Sequence, residues 1–179
     1  FSLAADGSLT GDLLAPNGAA ADRDPEGDPL SVVAVEGLAA AVGAPLALGR
    51  DLVATVEADG ALRLAPGPGY RALGEGATAV ERFAYTLSDG RGGEAEGAVT
   101  VTISGVNDAP EAVDDAVSAG VGQPLEGSLF EANGPGGRAD ADPDAGDAIR
   151  VSAVEGLAAA VGATIATRAG GRVAVEADG

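Results

Sequence analysis

The chain has 179 residues, 46% of them apolar, and a formal net charge of −18. With neither Cys nor His it cannot form disulfides, thiolate nucleophiles, Ser-His-Asp triads or the usual zinc sites. Its ten basic residues are all Arg and form no cluster, which with the acidic excess argues against nucleic acid and anionic membranes as partners.

Three Phe, two Tyr and no Trp or Met leave Val, Ala and Leu to fill the core. With 29 Gly and 10 Pro, short strands joined by turns are favoured over long helices. No apolar run approaches the roughly 18 to 20 residues needed to cross a bilayer, so no membrane insertion is expected. The chain opens on Phe1 and closes on "VEADG", with neither Met nor tail, and reads as a section of something longer.

In chain order, "SLTGDLL" (Ser8 to Leu14) and "PLSVVAVEG" (Pro29 to Gly37) read as strands. "GLAAAVG" is the one helix-like run; fenced by Gly, it amounts to a turn of helix in a loop. "DLVATVEADG" (Asp51 to Gly60) and "ALRLAP" (Ala61 to Pro66) form a hairpin across Asp59-Gly60. In "ERFAYTLSDG" the residues Phe83, Tyr85 and Leu87 point inward and Ala84, Thr86 and Ser88 outward, before a turn at Asp89-Gly90. "GAVTVTISGV" (Gly97 to Val106) alternates with β-branched residues at nearly every position. About seven short strands per roughly 100 residues predict an all-β fold, an antiparallel β-sandwich of immunoglobulin type. Tyr85 belongs in the core with its hydroxyl near the rim. Tyr70, in "GPGYRALG", has the setting of an exposed aromatic.

The sequence repeats itself. "VEGLAAAVGA" occurs at Val35 to Ala44 and at Val154 to Ala163, a shift of 154 − 35 = 119 positions, and "VEADG" recurs at the same shift. Upstream, "GDLLAPNG" aligns with "GSLFEANG" at 127 − 11 = 116, so the second copy is longer in the acidic loop between the anchors. Such a period is too long for a solenoid and suits tandem domains. The expected units are residues 1–109, nearly complete, and residues 110–179, which lack counterparts of Ala61 to Val106.

Carboxylates gather in three places. Asp22, Asp24, Glu26 and Asp28 follow Asn17; Asp140, Asp142, Asp144 and Asp147 follow Asn133; and Asn107, Asp108, Asp114 and Asp115 surround Pro110. Two carboxylates about 4 Å apart repel by roughly 4 kcal/mol near a protein surface, a cost that a cation would offset. Calcium takes roughly six to eight oxygens from Asp, Asn and backbone carbonyls, whereas softer metals want the Cys or His this chain lacks. Asp, Asn, Gly and Pro are also ordinary turn residues, and a salt-adapted protein would carry acid-rich loops, so both readings stand at this point.

"NGAAADRDPEGDPLSVVAVEG", "VEADGALRLAPGPG", "ALGEGATAVERFAYTLSDGRGGEAEGAVTVTISGVNDAP" and "EAVDD" together resemble the bacterial cadherin-like and VCBS repeats of very long secreted surface proteins and adhesins, usually exported by type I systems. That resemblance spans essentially the whole chain and is most specific from Phe83 to Pro110. It implies a calcium-rigidified array of sandwich domains on the bacterial surface, without catalysis. Asn107 and Asp108 are implied as linker ligands, Asp22 with Asp24 and Asp140 with Asp142 as the Asp-x-Asp pairs, Asp28 and Asp147 as the following acids, and Asp89 as a ligand at a strand end. Ala119 to Gly122 depart from the pattern, offering no carboxylate where related repeats often have one.

Two functions follow from this reading. One is a calcium-stiffened spacer whose partners are neighbouring repeats of the same chain. The other is a module binding glycans, host protein, cell-surface or biofilm-matrix ligands. An enzyme is the weakest reading, since no nucleophile is paired with a base.

Overall fold

A computed structural model describes residues 1–17, 20–133, 137–167 and 171–179. The chain divides into two compact units, Phe1–Asn107 and Asp108–Gly179.

The first unit is a sandwich of two four-stranded sheets. One contains β1 (Ser2–Ala4), β8 (Glu94–Ser104), β7 (Thr78–Ser88) and β3 (Ser31–Val35), in that order. The other runs β2 (Leu9–Asp12), β6 (Ala61–Pro66), β5 (Leu52–Val56) and β4 (Leu46–Leu48). The longest ladder joins β7 to β8 in register from Thr78 opposite Ser104 to Ser88 opposite Glu94. Alternation along both strands sends Phe83, Tyr85, Leu87, Val99, Val101 and Ile103 into the core. From the facing sheet Leu52, Ala54, Val56, Leu62 and Leu64 meet them, and Leu52 and Leu64 are 0% exposed. Each such Leu or Val contributes about 1.5 to 3 kcal/mol by leaving water.

Periodicity anticipated this sandwich, with two exceptions. β1 pairs with β8 in parallel, Leu3 opposite Ile103, so one pair departs from the antiparallel scheme. β4 closes the edge of the second sheet through Leu46 opposite Ala54. The Gly-fenced run forms a single 3-10 turn at Ala39–Ala41.

Tyr70 departs from its expected exposure. A second 3-10 turn, Pro68–Tyr70, tucks the ring into the core until the residue is 0% exposed. Its hydroxyl donates to Glu81 Oε1 on β7 at 2.8 Å. Burial, and then the Glu81 hydrogen bond, push the Tyr70 pKa up to about 12. The flanking Gly and Pro residues signal a loop but carry no information about the partner waiting on β7.

The second unit rebuilds part of the first. β9 (Ile165–Ala166) pairs with β10 (Arg172–Val173), Ile165 opposite Val173, matching Leu46 opposite Ala54 in the first unit. Gly162 N donates to Val175 O at 2.7 Å as Gly43 N does to Val56 O, and Val151 N to Ala177 O at 2.9 Å as Val32 N does to Ala58 O. The Asn133 amide donates to Ser128 O, and the Asn17 amide to Asp12 O. A 3-10 turn at Ala158–Ala160 matches that at Ala39–Ala41. The long hairpin of the first unit has no counterpart in this sequence, and Ala160 and Asp144 are the buried residues of the second unit among those described. Val117, Val121, Leu125 and Leu157 stand exposed there.

Candidate metal centre

The two acidic loops start from the same local chemistry. In each, the second Asp of Asp-x-Asp-Pro bends its carboxylate back onto the backbone. Asp24 Oδ1 accepts from Glu26 N at 2.8 Å, and Asp142 Oδ1 from Asp144 N at 2.9 Å. Beyond that they diverge.

In the first unit the carboxylates of Asp22, Asp24 and Asp28 each have a protein partner. Asp24 Oδ1 also accepts from Asp28 N at 3.1 Å. The Asp28 carboxylate pairs with the Arg91 guanidinium, Nε to Oδ2 at 2.7 Å. Asp22 Oδ2 accepts from the Tyr85 hydroxyl at 2.8 Å. The Tyr85 ring reaches that rim position across Gly97, its register partner on β8, where a Cβ would lie 2.3 Å from the ring. Burial and then the Asp22 hydrogen bond raise the Tyr85 pKa to about 12. Asp89 Oδ1 closes the turn between β7 and β8 by accepting from Arg91 N at 2.7 Å and Gly93 N at 2.9 Å. Those backbone donors, Arg91 first, hold its carboxyl below the usual Asp range. Asp22, Asp24 and Asp89 line one shallow cleft of about 240 Å³.

The second unit arranges its acids differently. Asp142, Asp144 and Asp147 each place a carboxylate oxygen within 4.8 Å of the others. Of the three residues by which the second copy is longer here, Ala145 is the one that falls between the Asp-x-Asp pair and the following Gly-Asp, and Asp144 stands where the first copy has Glu26. Glu26 is exposed, whereas Asp144 is 2% exposed. Asp144 Oδ2 accepts from Asp108 N at 2.8 Å. Asp144 Oδ1 is buried and accepts no hydrogen bond. Neither described ion pair, Arg91 with Asp28 or Arg138 with Glu111, reaches the three.

A buried carboxylate oxygen without a donor costs on the order of 1 to 3 kcal/mol, and more when charged. A hard cation among the three carboxylates would supply the missing partner. Oxygens on opposite sides of one calcium are separated by about twice 2.3 to 2.6 Å, which the 4.8 Å limit accommodates. The donor set is all oxygen, the chemistry calcium prefers.

The remaining acids named from the sequence lie as follows. Asp140 Oδ1 accepts from Val113 N at 2.6 Å and stands outside the group of three. Asp108 contributes its backbone N–H to Asp144. Asn107 is exposed at the end of the first unit, beyond β8. Spacing alone could not single out Asp144, whose buried carboxylate meets the Asp108 amide, a contact 36 positions away in the chain.

No curated protein matches the chain. The family described as Bacterial Ig domain, whose members are structural modules typical of surface and extracellular proteins, matches residues 1–102 of the 179, and the chain belongs to that family.

Proposed function

We propose that this protein is a calcium-binding spacer repeat of a long bacterial surface protein, serving cell adhesion as a passive structural element with no catalytic role. The carrying observation is the buried Asp144 Oδ1, which lacks a donor inside a group of three carboxylates. Asp142, Asp144 and Asp147 would hold the ion, with backbone carbonyls and water completing the shell. The ion neutralises their repulsion and fixes the loop that carries them. Sites of extracellular modules bind with Kd of about 10⁻⁴ to 10⁻³ M, so such a site fills outside a cell and empties in the cytosol. The cadherin-like and VCBS character, type I export and folding on arrival belong to this proposal; the Asp-x-Asp loops and the "GVNDAP" segment support it.

The rival reading, a module that binds glycans, wants an aromatic platform at the surface. Tyr70, Phe83 and Tyr85 are buried, and Phe1 and Phe130 are half-buried.

Isothermal titration of the full chain with calcium, after exhaustive chelation, tests the proposal. Saturable binding in the submillimolar to millimolar range, lost in Asp144→Asn, is the expected result. A flat titration up to about 10 mM, well above the Kd range of extracellular sites, would overturn it.

A further inference from the structure

The long ladder of β7 and β8 in the first unit has an outward side that no described element covers. Alternation buries Phe83, Tyr85, Val99 and Val101, so Arg82, Ala84, Ala98 and Thr100 point the other way. Val80, on the same side, is 57% exposed. From Thr78 opposite Ser104 to Thr86 opposite Glu96, the outward positions carry one cation, Arg82, and one anion, Glu96. The others are Thr, Ser, Ala and Val, a neutral face on a chain of net charge −18.

Arg82 and Glu96 are exposed, and neither belongs to a described ion pair. They sit diagonally about the register pair Ala84–Ala98. Arg82 lies two positions before Ala84 on β7, and Glu96 two positions before Ala98 on the antiparallel β8. The middle of the face is thus two methyl groups, with opposite charges placed symmetrically on either side.

We propose that this face docks on the same face of a second copy of the chain, about a two-fold axis through the Ala84–Ala98 pair. Such an axis lays Arg82 over the partner's Glu96 and Glu96 over the partner's Arg82, so one contact forms both ion pairs. Stacked sheets lie about 10 Å apart, a gap that an Arg and a Glu reaching from opposite sides can span. Alanines at the centre leave that approach open. The area fits a transient association. Strands β7 and β8 have 11 residues each. At about 3.4 Å per residue, and about 15 Å across with their short neighbours, each copy offers roughly 500 Å². The two copies together bury about 1,000 Å², the lower bound of a specific interface. This proposal stands apart from the calcium reading and uses none of its residues.

Sedimentation equilibrium of the intact 179-residue chain, up to about 1 mM and with chelator present, tests it. A reversible monomer–dimer equilibrium without larger species is expected, with amide shifts on dilution at Ala84, Ala98 and Thr100. Arg82→Glu and Glu96→Arg should each weaken the dimer at least tenfold while leaving the thermal midpoint of the monomer unchanged. Combining the two restores opposite charges across the axis and should recover the parent affinity to within about threefold. A chain that stays monomeric, a dimer indifferent to Arg82→Glu, a combined variant no better than the single ones, or dilution shifts confined to other residues would each overturn the proposal.

Discussion

Replacing Asp144 by Asn separates an ion site from an acid-rich surface, because the sign of the effect reverses with calcium. Three carboxylate oxygens lie within 4.8 Å of one another. At an effective dielectric of about 20 each pair repels by roughly 3 to 4 kcal/mol, reduced where Asp147 is exposed. Asp144→Asn removes two of the three pairs. Its amide oxygen can still accept from Asp108 N, and its amide N–H groups can donate to Asp142 and Asp147. With chelator present the variant should therefore exceed the parent chain in stability by about 1 to 3 kcal/mol, the size of a relieved unsatisfied polar group. Calcium at a hundredfold excess over Kd stabilises the parent by about 2.7 kcal/mol and the variant by much less. The order of stabilities should then invert. Urea melts of the full chain, read through amide signals of Val113 and Val151, report on the second unit. Equal loss of stability by the variant in chelator and in calcium would refute this reasoning, as would a parent chain indifferent to calcium.

Other outcomes follow from the first unit. Leu64→Ala, at a fully buried site between β2 and β5, should cost about 2 to 5 kcal/mol in a urea melt, and a cost below ~1 kcal/mol would contradict the packing. Gly97→Ala places a Cβ against the Tyr85 ring and should cost about 1 to 3 kcal/mol while freeing the Asp22 carboxylate, seen as a shift of the Asp22 side-chain carbon. Both tyrosines have folded pKa values near 12, above the unfolded 10.0, so their contribution is complete below pH 10 and is lost as pH rises through 10 to 12. That loss is on the order of 1 to 3 kcal/mol for each tyrosine. Tyrosinate absorbance with a midpoint near pH 10 in the folded chain would contradict it.

Particular residues mark how far the sequence could be read. The long strands β7 and β8 were legible because period-two alternation and β-branching coincide along them. β1 was not: Ser-Leu-Ala is too short to show a period, and its parallel partner lies about a hundred positions away. Tyr70 misled because "GPGY" describes local backbone only; its burial is decided by Glu81 on another strand. The acidic loops announced themselves by spacing, yet their fates depend on distant groups. Tyr85 and Arg91 claim Asp22 and Asp28 in the first unit. Asp144 turns inward in the second, where Asp108 N–H meets it. Which oxygens converge is a tertiary property that no count of Asp residues contains.

The parallel pairing of β1 with β8 bears on how the first unit carries load. Phe1 N donates to Thr100 O at 3.0 Å, Thr102 N to Phe1 O at 2.9 Å and Ala5 N to Ser104 O at 2.8 Å. Tension applied outward at Phe1 and at Asn107 pulls two parallel neighbours along their length in opposite directions. The bonds between them are then strained together in shear instead of unzipping one after another. A tug on the two ends thus meets its resistance at the seam where they lie side by side, and the interior of the sandwich feels it only after that seam has given way.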